Sequence, residues 1–438
     1  VISPQRRREI IDALRRGTVP QRGLDAFAVG TDRFAAAFDD ELATVAAGAA
    51  GFKAVRGEYG SGKTFVVRWL AERARAHGFA TAEVQISEGE TPLHHLEAVY
   101  RRLCERLTTA DTAGGALRSV VDSWFFALHE DVAAAGTAPP GDAEAVLAAT
   151  DALAEQRLGA VATRAPALAA VLRGYRRALA DGDTARAEGL LAWLGGQPHV
   201  AASIKRAAGI RGDLDHDAAL AFLAGLVTIL RGAGYAGLVF VLDEVETLQR
   251  VRSDARDRAL NALRQLIDEV DQGRFPSLYL VVTGTPAFFD GPQGAQRLAP
   301  LAQRLHTDLT TDARFDSPRA VQLRLAGFTV DGLGEVGRRI RDLYADGAAD
   351  PGRIRSLCDD DYLRLLAKAV TGDLGGRVGV APRVFLKKLV GDVLDRIDQF
   401  PDFDPRRDYR LTIVDSELTA VERNARAATS VDEIDLDL

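Results

Sequence analysis

The sequence predicts an α/β protein: a parallel sheet carrying a glycine-rich loop, broken by a long all-helical insertion and followed by a C-terminal helical lid. Three observations carry that expectation. Leu238 to Leu242 and Leu278 to Val282 are short apolar runs without polar alternation, as strands buried on both faces require. Between about Pro92 and Ala233 the chain is rich in Ala, Leu and Arg at helical spacing and shows no strand pattern. Residues 334 to 398 return to helical spacing after the last apolar run.

Taken in order, residues 4 to 16 place Ile10, Ile11 and Leu14 on one helical face, and Gly17 stands where that helix would stop. A loop with Pro20 and Gly23 leads through Phe27 and Ala28 to Val29 and Gly30. Residues 31 to 47 then form a second helix with Phe34, Phe38 and Leu42 inward. Phe52 to Arg56 is a strand, about Gly62 to His77 a helix, and Thr81 to Ile86 a neighbouring strand. The insertion breaks near Gly114, Pro139 to Gly141, Gly182 and Gly195, with Trp124, Phe125 and Phe126 expected in its core. A final short strand is expected around Ala313 to Asp316, and the lid breaks at Gly347 to Pro351 and Gly372 to Gly379. The tail from Glu422 is polar and acidic and is expected to fray. The resulting division is residues 1–50, two helices and their loop; 51–330, the core with its insertion at about 92–233; 331–400, the lid; and 401–438, a partly disordered extension.

Composition limits the alternatives. With 438 residues, 47% apolar and 27% charged, the chain is a globular protein of two or three domains. Cys104 and Cys358 lie far apart outside any metal-ligand spacing and are expected to be buried thiols. The opening run, with Arg6, Arg7 and Arg8, does not read as a signal peptide, and no stretch reaches the ~18 apolar residues of a membrane span. A cytoplasmic location is therefore expected. Val1 and the lack of methionine fit a GTG start or a missing initiator residue. A net charge of −7 excludes a surface that is basic throughout, while leaving room for local basic faces.

Chemistry enters between the first strand and its helix. Gly57-Glu58-Tyr59-Gly60-Ser61-Gly62-Lys63-Thr64 satisfies the pattern G-x-x-x-x-G-K-[ST] of a phosphate-binding loop, or P-loop. Glycines let the backbone wrap so that its N–H groups face phosphate oxygens, and the helix N-terminus adds a favourable dipole. Lys63 would reach the β- and γ-phosphates of ATP, and the Thr64 hydroxyl would ligate Mg²⁺. The apolar strand ending at Asp243-Glu244 supplies the second acidic contact: Asp243 would hold Mg²⁺ through water, and Glu244 would polarise the attacking water. Thr283, ending the next apolar strand, is placed to sense the γ-phosphate or to hold that water, with Thr285 as the alternative.

This order and spacing resemble the AAA+ ATPases: a Val-Gly pair, a P-loop, an Asp-Glu strand, a polar strand end, an arginine and a helical lid. The resemblance implies that Val29 and Gly30 pack against adenine and that Arg304 is a finger entering a neighbouring subunit's site. It also makes Arg383, after Pro382 in the lid, a second sensor. Arg377 and Arg264 are the spare candidates, and surface ion pairing would explain any of these arginines equally.

A narrower resemblance covers nearly the whole chain, from the opening helix through the P-loop, the helical insertion, the Asp-Glu strand and the lid to the closing segment, and its family-specific part lies at the two ends. Ile10-Ile11-Asp12-Ala13-Leu14-Arg15-Arg16-Gly17-Thr18-Val19-Pro20 and Asp402-Phe403-Asp404-Pro405-Arg406-Arg407 are similar to segments of the BREX-system ATP-binding family, the BrxD-like P-loop proteins of bacterial phage-defence loci. Membership implies an ATPase working beside a helicase or other defence proteins, with DNA met directly or through a partner, and a homo-oligomer. A nucleotide-gated assembly switch and a protein-remodelling ATPase are the alternatives. Arg173, Arg176 and Arg177 with Tyr175, then Lys205, Arg206 and Arg211, offer a phosphate-contacting surface on the insertion. A solvated helix face explains them better, since Asp181, Asp183 and Glu188 dilute the patch.

Overall fold

The computed structural model describes residues 2–139, 141–373 and 381–414, together with Ser416, Leu418 and Arg423. Among these residues five strands, β1 Gly51–Arg56, β2 Ala80–Gln85, β3 Leu238–Asp243, β4 Leu278–Gly284 and β5 Gln322–Arg324, form one sheet in the order β2-β3-β4-β1-β5. All of its pairings are parallel.

The helices α1 Pro4–Arg15 and α2 Asp32–Ala46 precede the sheet, and α3 Lys63–Ala76 joins β1 to β2. Eight more occupy the chain from β2 to β3. These are α4 Leu96–Arg106, α5 Leu117–Ala135, α6 Ala143–Leu158, α7 Ala160–Arg164, α8 Pro166–Ala180, α9 Thr184–Leu194, α10 Ala202–Ala207 and α11 His216–Gly232. Helix α12 Ser253–Asp271 leads to β4, and α13 Pro286–Asp290 and α14 Ala299–Leu305 lie between β4 and β5. After the sheet come α15 Val330–Ala345, α16 Pro351–Leu357, α17 Asp360–Asp373, α18 Ala381–Lys388, α19 Asp395–Gln399 and α20 Pro405–Asp408. A π-helical stretch, Leu389–Leu394, bridges α18 and α19.

Side chains alternate across a strand, and both faces of this sheet are covered. Leu238, Phe240 and Leu242 of β3 pack with the α4–α12 side, in one core with Trp124, Phe222 and Leu263. Val239 and Val241 face the other side, in a second core with Leu14, Phe38, Leu70, Ile340 and Phe385. Helices from both ends of the sequence therefore share one face of the sheet.

Two expectations are corrected. Ala313 to Asp316 is not a strand: Ala313–Phe315 is a 3₁₀ turn whose start is capped when the Asp312 side chain accepts from the Arg314 amide. The fifth strand is Gln322–Arg324, where Val321, Leu323 and Leu325 alternate with polar residues, the period of a half-buried edge strand. Phe126 is 67% exposed, while Trp124 and Phe125 are buried. Successive residues on a helix turn by about 100°, so three in a row cannot share one buried face. Arg377, most of the Gly372 to Gly379 break, and the tail from Glu422 apart from Arg423 lie outside the described residues.

Candidate functional site

Strands β3, β4 and β1 are consecutive neighbours, so their carboxyl ends converge, and parallel α/β sheets place ligands at such ends. The loop after β1 is tied to β4 by the Gly57 amide, which donates to the Gly284 carbonyl at 3.1 Å. Gly60 and Gly62 have φ of 76° and 92°, left-handed values that side chains disfavour. A Cβ on Gly57 would lie 2.3 Å from Ser61 Oγ and 3.2 Å from the Leu325 Cβ, so a side chain there would force Ser61 to shift. Helix α3 begins immediately after the loop, and the amides of its first turn lack intrahelical acceptors.

Lys63, 8% exposed, folds back over the loop. Its Nζ donates to the carbonyls of Gly57 at 2.8 Å and Glu58 at 3.3 Å, and stands 5.0 Å from the centre of the Tyr59 ring. Beside it, the Thr64 hydroxyl donates to Asp243 Oδ2 at 3.1 Å. Asp243 Oδ1 accepts from the buried Thr283 hydroxyl and, at 3.1 Å, from the Glu244 amide; Thr283 Oγ1 also accepts that amide at 3.0 Å. One carboxylate thus joins the ends of α3, β3 and β4.

Glu244 has φ 61° and ψ 44°, a sparsely populated conformation for a residue with a side chain. Strain of that kind, of order 1–3 kcal/mol, persists where surrounding contacts enforce it and is characteristic of functional sites. Here the Glu244 amide is held by two oxygens, and Gln85 Nε2 donates to its Oε2 at 2.7 Å. The parallel register sets Gln85 opposite Asp243.

Two residues later Glu246 is 3% exposed, with one carboxylate oxygen 3.5 Å from Lys63 Nζ. Neither carboxylate oxygen has a hydrogen-bond partner among the described residues. Burial raises its pKa above the ordinary value of 4.5, while the charge of Lys63 opposes the shift. The Tyr59 hydroxyl is also raised, first by burial and then by Glu246.

Of these groups Tyr59, Lys63, Thr64, Glu244 and Glu246 line a cavity of about 270 Å³. Gly60, Gly62, Lys63, Thr64 and Glu244 are among the residues that line it, with Phe27, Val29, Leu333 and Val336 among its apolar ones. Arg383 enters from α18, where a Cβ on Gly17 would come within 3.4 Å of its guanidinium. The apolar lining suits an aromatic base and the polar lining suits phosphates. The Thr64 hydroxyl and Asp243 carboxylate are hard oxygen donors side by side, a set that suits Mg²⁺, which is commonly bound through one or two protein oxygens plus phosphates.

The structure therefore brings together Val29, Gly57 to Thr64, Asp243, Glu244, Thr283 and Arg383. Gly30 is exposed beside Val29, at φ 76°, and Thr285 is engaged in capping α13. Arg304 does not line this cavity; it donates to the Pro300 carbonyl at 3.0 Å and is ion-paired with Asp268, as is Arg264. On the helices between β2 and β3, Arg173, Arg176, Arg177 and Lys205 each pair with a carboxylate, those of Glu155, Asp151, Glu144 and Asp213.

Gln85 and Glu246 escaped the sequence reading. A third acid in Asp243-Glu244-Val245-Glu246 is a visible signal, but its burial is not. Gln85 is only a polar strand end until the register sets it opposite Asp243.

A family model described as BREX system ATP-binding protein BrxC/D matches residues 2–413. No curated protein and no solved structure matches the chain. Among the described residues no helix is long and apolar enough to cross a membrane.

Proposed function

The chain belongs to the BREX system ATP-binding protein BrxC/D family, and from that premise we propose that it is a Mg²⁺-dependent ATPase of AAA+ type serving phage defence. What carries the reading is that Lys63, Thr64 and Glu244 line one cavity together with apolar residues, while the Thr64 hydroxyl is hydrogen-bonded to the Asp243 carboxylate just behind them.

In this reading the 57–62 loop and the first turn of α3 hold the phosphates through backbone amides. Lys63 exchanges its loop carbonyls for β- and γ-phosphate oxygens, and Val29 and its neighbours take adenine. Thr64 and Asp243 hold Mg²⁺, which neutralises charge on the phosphates. Glu244 orients and polarises the attacking water, and Thr283 fixes the Asp243 and Glu244 geometry from below. Residues 331–400 act as a lid, with Arg383 sensing the γ-phosphate. Arg304 acts on a neighbouring copy, leaving Asp268 when subunits assemble; a specific rate independent of protein concentration and unchanged in Arg304→Ala would remove it. The family points to partner proteins of the same defence system, a helicase among them.

A second reading, a nucleotide-gated assembly switch with slow turnover, is favoured by the hydrogen bond from Gln85 to Glu244, which occupies the carboxylate that would polarise water. ATP hydrolysis by the purified protein and by Glu244→Gln, with and without DNA, separates the two. Turnover that falls roughly 10²–10³-fold in the variant while ATP binding persists supports the ATPase. Tight binding with equally negligible turnover in both proteins supports the switch, and absence of ATP binding sinks both.

A further inference from the structure

A second, larger cavity of about 710 Å³ runs along the edge strand β2, between α3, α4 and the loop that follows α1. Five arginines line it, Arg22, Arg68, Arg75, Arg102 and Arg106, against two carboxylates, Glu83 and Glu90. Both carboxylates are committed: Glu83 accepts from Arg68 through both oxygens, and Glu90 pairs with Arg102. The nearby Glu72 is engaged too, accepting from the Gly23 amide at 2.6 Å and the Leu24 amide at 2.8 Å.

Arg22, Arg75 and Arg106 are left with no carboxylate at ion-pair distance among the described residues. Arg75 donates to the Thr81 hydroxyl at 2.7 Å and otherwise faces the cleft. Its pKa lies below the usual arginine value, chiefly through burial; Glu72 opposes the shift and Arg22 adds to it, so two of the three cations feel one another. The chain as a whole carries a net charge of −7, so this cleft differs in sign from the average surface. It contrasts with the paired Arg173, Arg176 and Arg177 of the helical segment.

The rest of the lining is small or polar, including Ser87, Gly89, Thr91 and Thr108, with no aromatic ring among the described residues. Such a wall gives a base nothing to stack on, whereas guanidinium forks match phosphate oxygens.

We propose that this cleft binds the phosphate groups of a polyanion, a phosphodiester backbone or a free oligophosphate, through Arg22, Arg75 and Arg106 and without reading bases. The inference does not rest on the ATPase reading: none of the three arginines lines the other cavity, although Gln85, which lines this cleft, also donates to Glu244.

The test uses full-length protein carrying Lys63→Ala, so that the 57–64 loop does not compete for phosphate. Binding of a labelled duplex oligonucleotide and of inorganic tripolyphosphate is measured with and without Arg22→Gln/Arg75→Gln/Arg106→Gln. The expected result is duplex binding that weakens at least tenfold in the triple variant, with a log K against log salt slope shallower by about 3. That outcome assigns the site to a nucleic-acid backbone. Tripolyphosphate binding alone, lost in the triple variant, assigns it to a free oligophosphate. No binding of either, equal binding by the triple variant, or an equal loss in Arg173→Gln/Arg177→Gln overturns the proposal. Should Arg75→Gln fail to fold, Arg22→Gln/Arg106→Gln reads the same effect with a slope change of about 2. Labelled-ATP binding by the triple variant with Lys63 intact reports the other site separately.

Discussion

The helical segment from α5 to α11 and the rim at the carboxyl ends of β1, β3 and β4 solve the problem of polar groups in opposite ways. In the helical segment Trp124, Tyr175 and Phe222 fill the interior, and the charges sit outside in pairs such as Arg177 with Glu144. Where a polar group is buried there it is satisfied, as the Tyr175 hydroxyl is by Asp122 at 2.7 Å. The rim instead buries Lys63, Asp243, Glu246 and Thr283, strains Glu244, and leaves Ser61 Oγ and both Glu246 oxygens without partners among the described residues. Buried polar atoms are normally paired, and although single unpartnered atoms also occur at Arg7, Arg56 and Glu97, Glu246 is the described residue with both carboxylate oxygens unpartnered, which fits a place where stability is subordinate to binding.

The contrast predicts where substitutions separate folding from function. Trp124→Ala opens the helical core and should destabilise by about 3–5 kcal/mol in denaturant unfolding, leaving ATP affinity of the folded fraction unchanged. A matched loss of ATP affinity would break the comparison by coupling the two regions. Thr283→Val removes the hydroxyl that ties β4 to Asp243 and the Glu244 amide. It should cost about 1–3 kcal/mol in the same measurement and also reduce turnover, the double effect that the helical core cannot produce.

Glu246→Gln should act in the reverse direction. A carboxyl whose folded pKa is raised binds its proton more tightly when folded, so its burden on stability is absent below the unfolded value of 4.5 and grows as pH rises above it. The substitution should therefore stabilise the protein at neutral pH, on the order of 1 kcal/mol, with the gain in melting temperature closing as pH falls toward 4.5. A gain independent of pH would show that Glu246 is not the titrating group. The smallest effect is expected from Arg177→Gln, whose partner Glu144 is 79% exposed: less than ~0.5 kcal/mol at any salt concentration.

Much of this architecture was legible because its signals are local. The apolar runs at 238–242 and 278–282 have the length and flanks of buried strands, the Ala/Leu segment after Pro92 has helical spacing, and Gly57 to Thr64 has the spacing of its loop. The short fifth strand was missed because three residues of period 2 carry little signal, while the nearby Phe315 is a conspicuous apolar residue that the fold leaves 68% exposed.

What the amino-acid sequence determined by itself is the set of elements and the loop between β1 and α3, since backbone freedom at glycine, helix periodicity and strand burial are decided within a few residues. Only the tertiary structure decided that Gln85 faces Glu244, that Glu246 is buried against Lys63, and that Arg22, Arg75 and Arg106 share one cleft while Arg304 lies with Asp268. Those pairings join residues far apart in the chain, 159 positions in the case of Gln85 and Glu244. Strand order, register and helix packing, set by burial over the whole chain, are what bring them within reach.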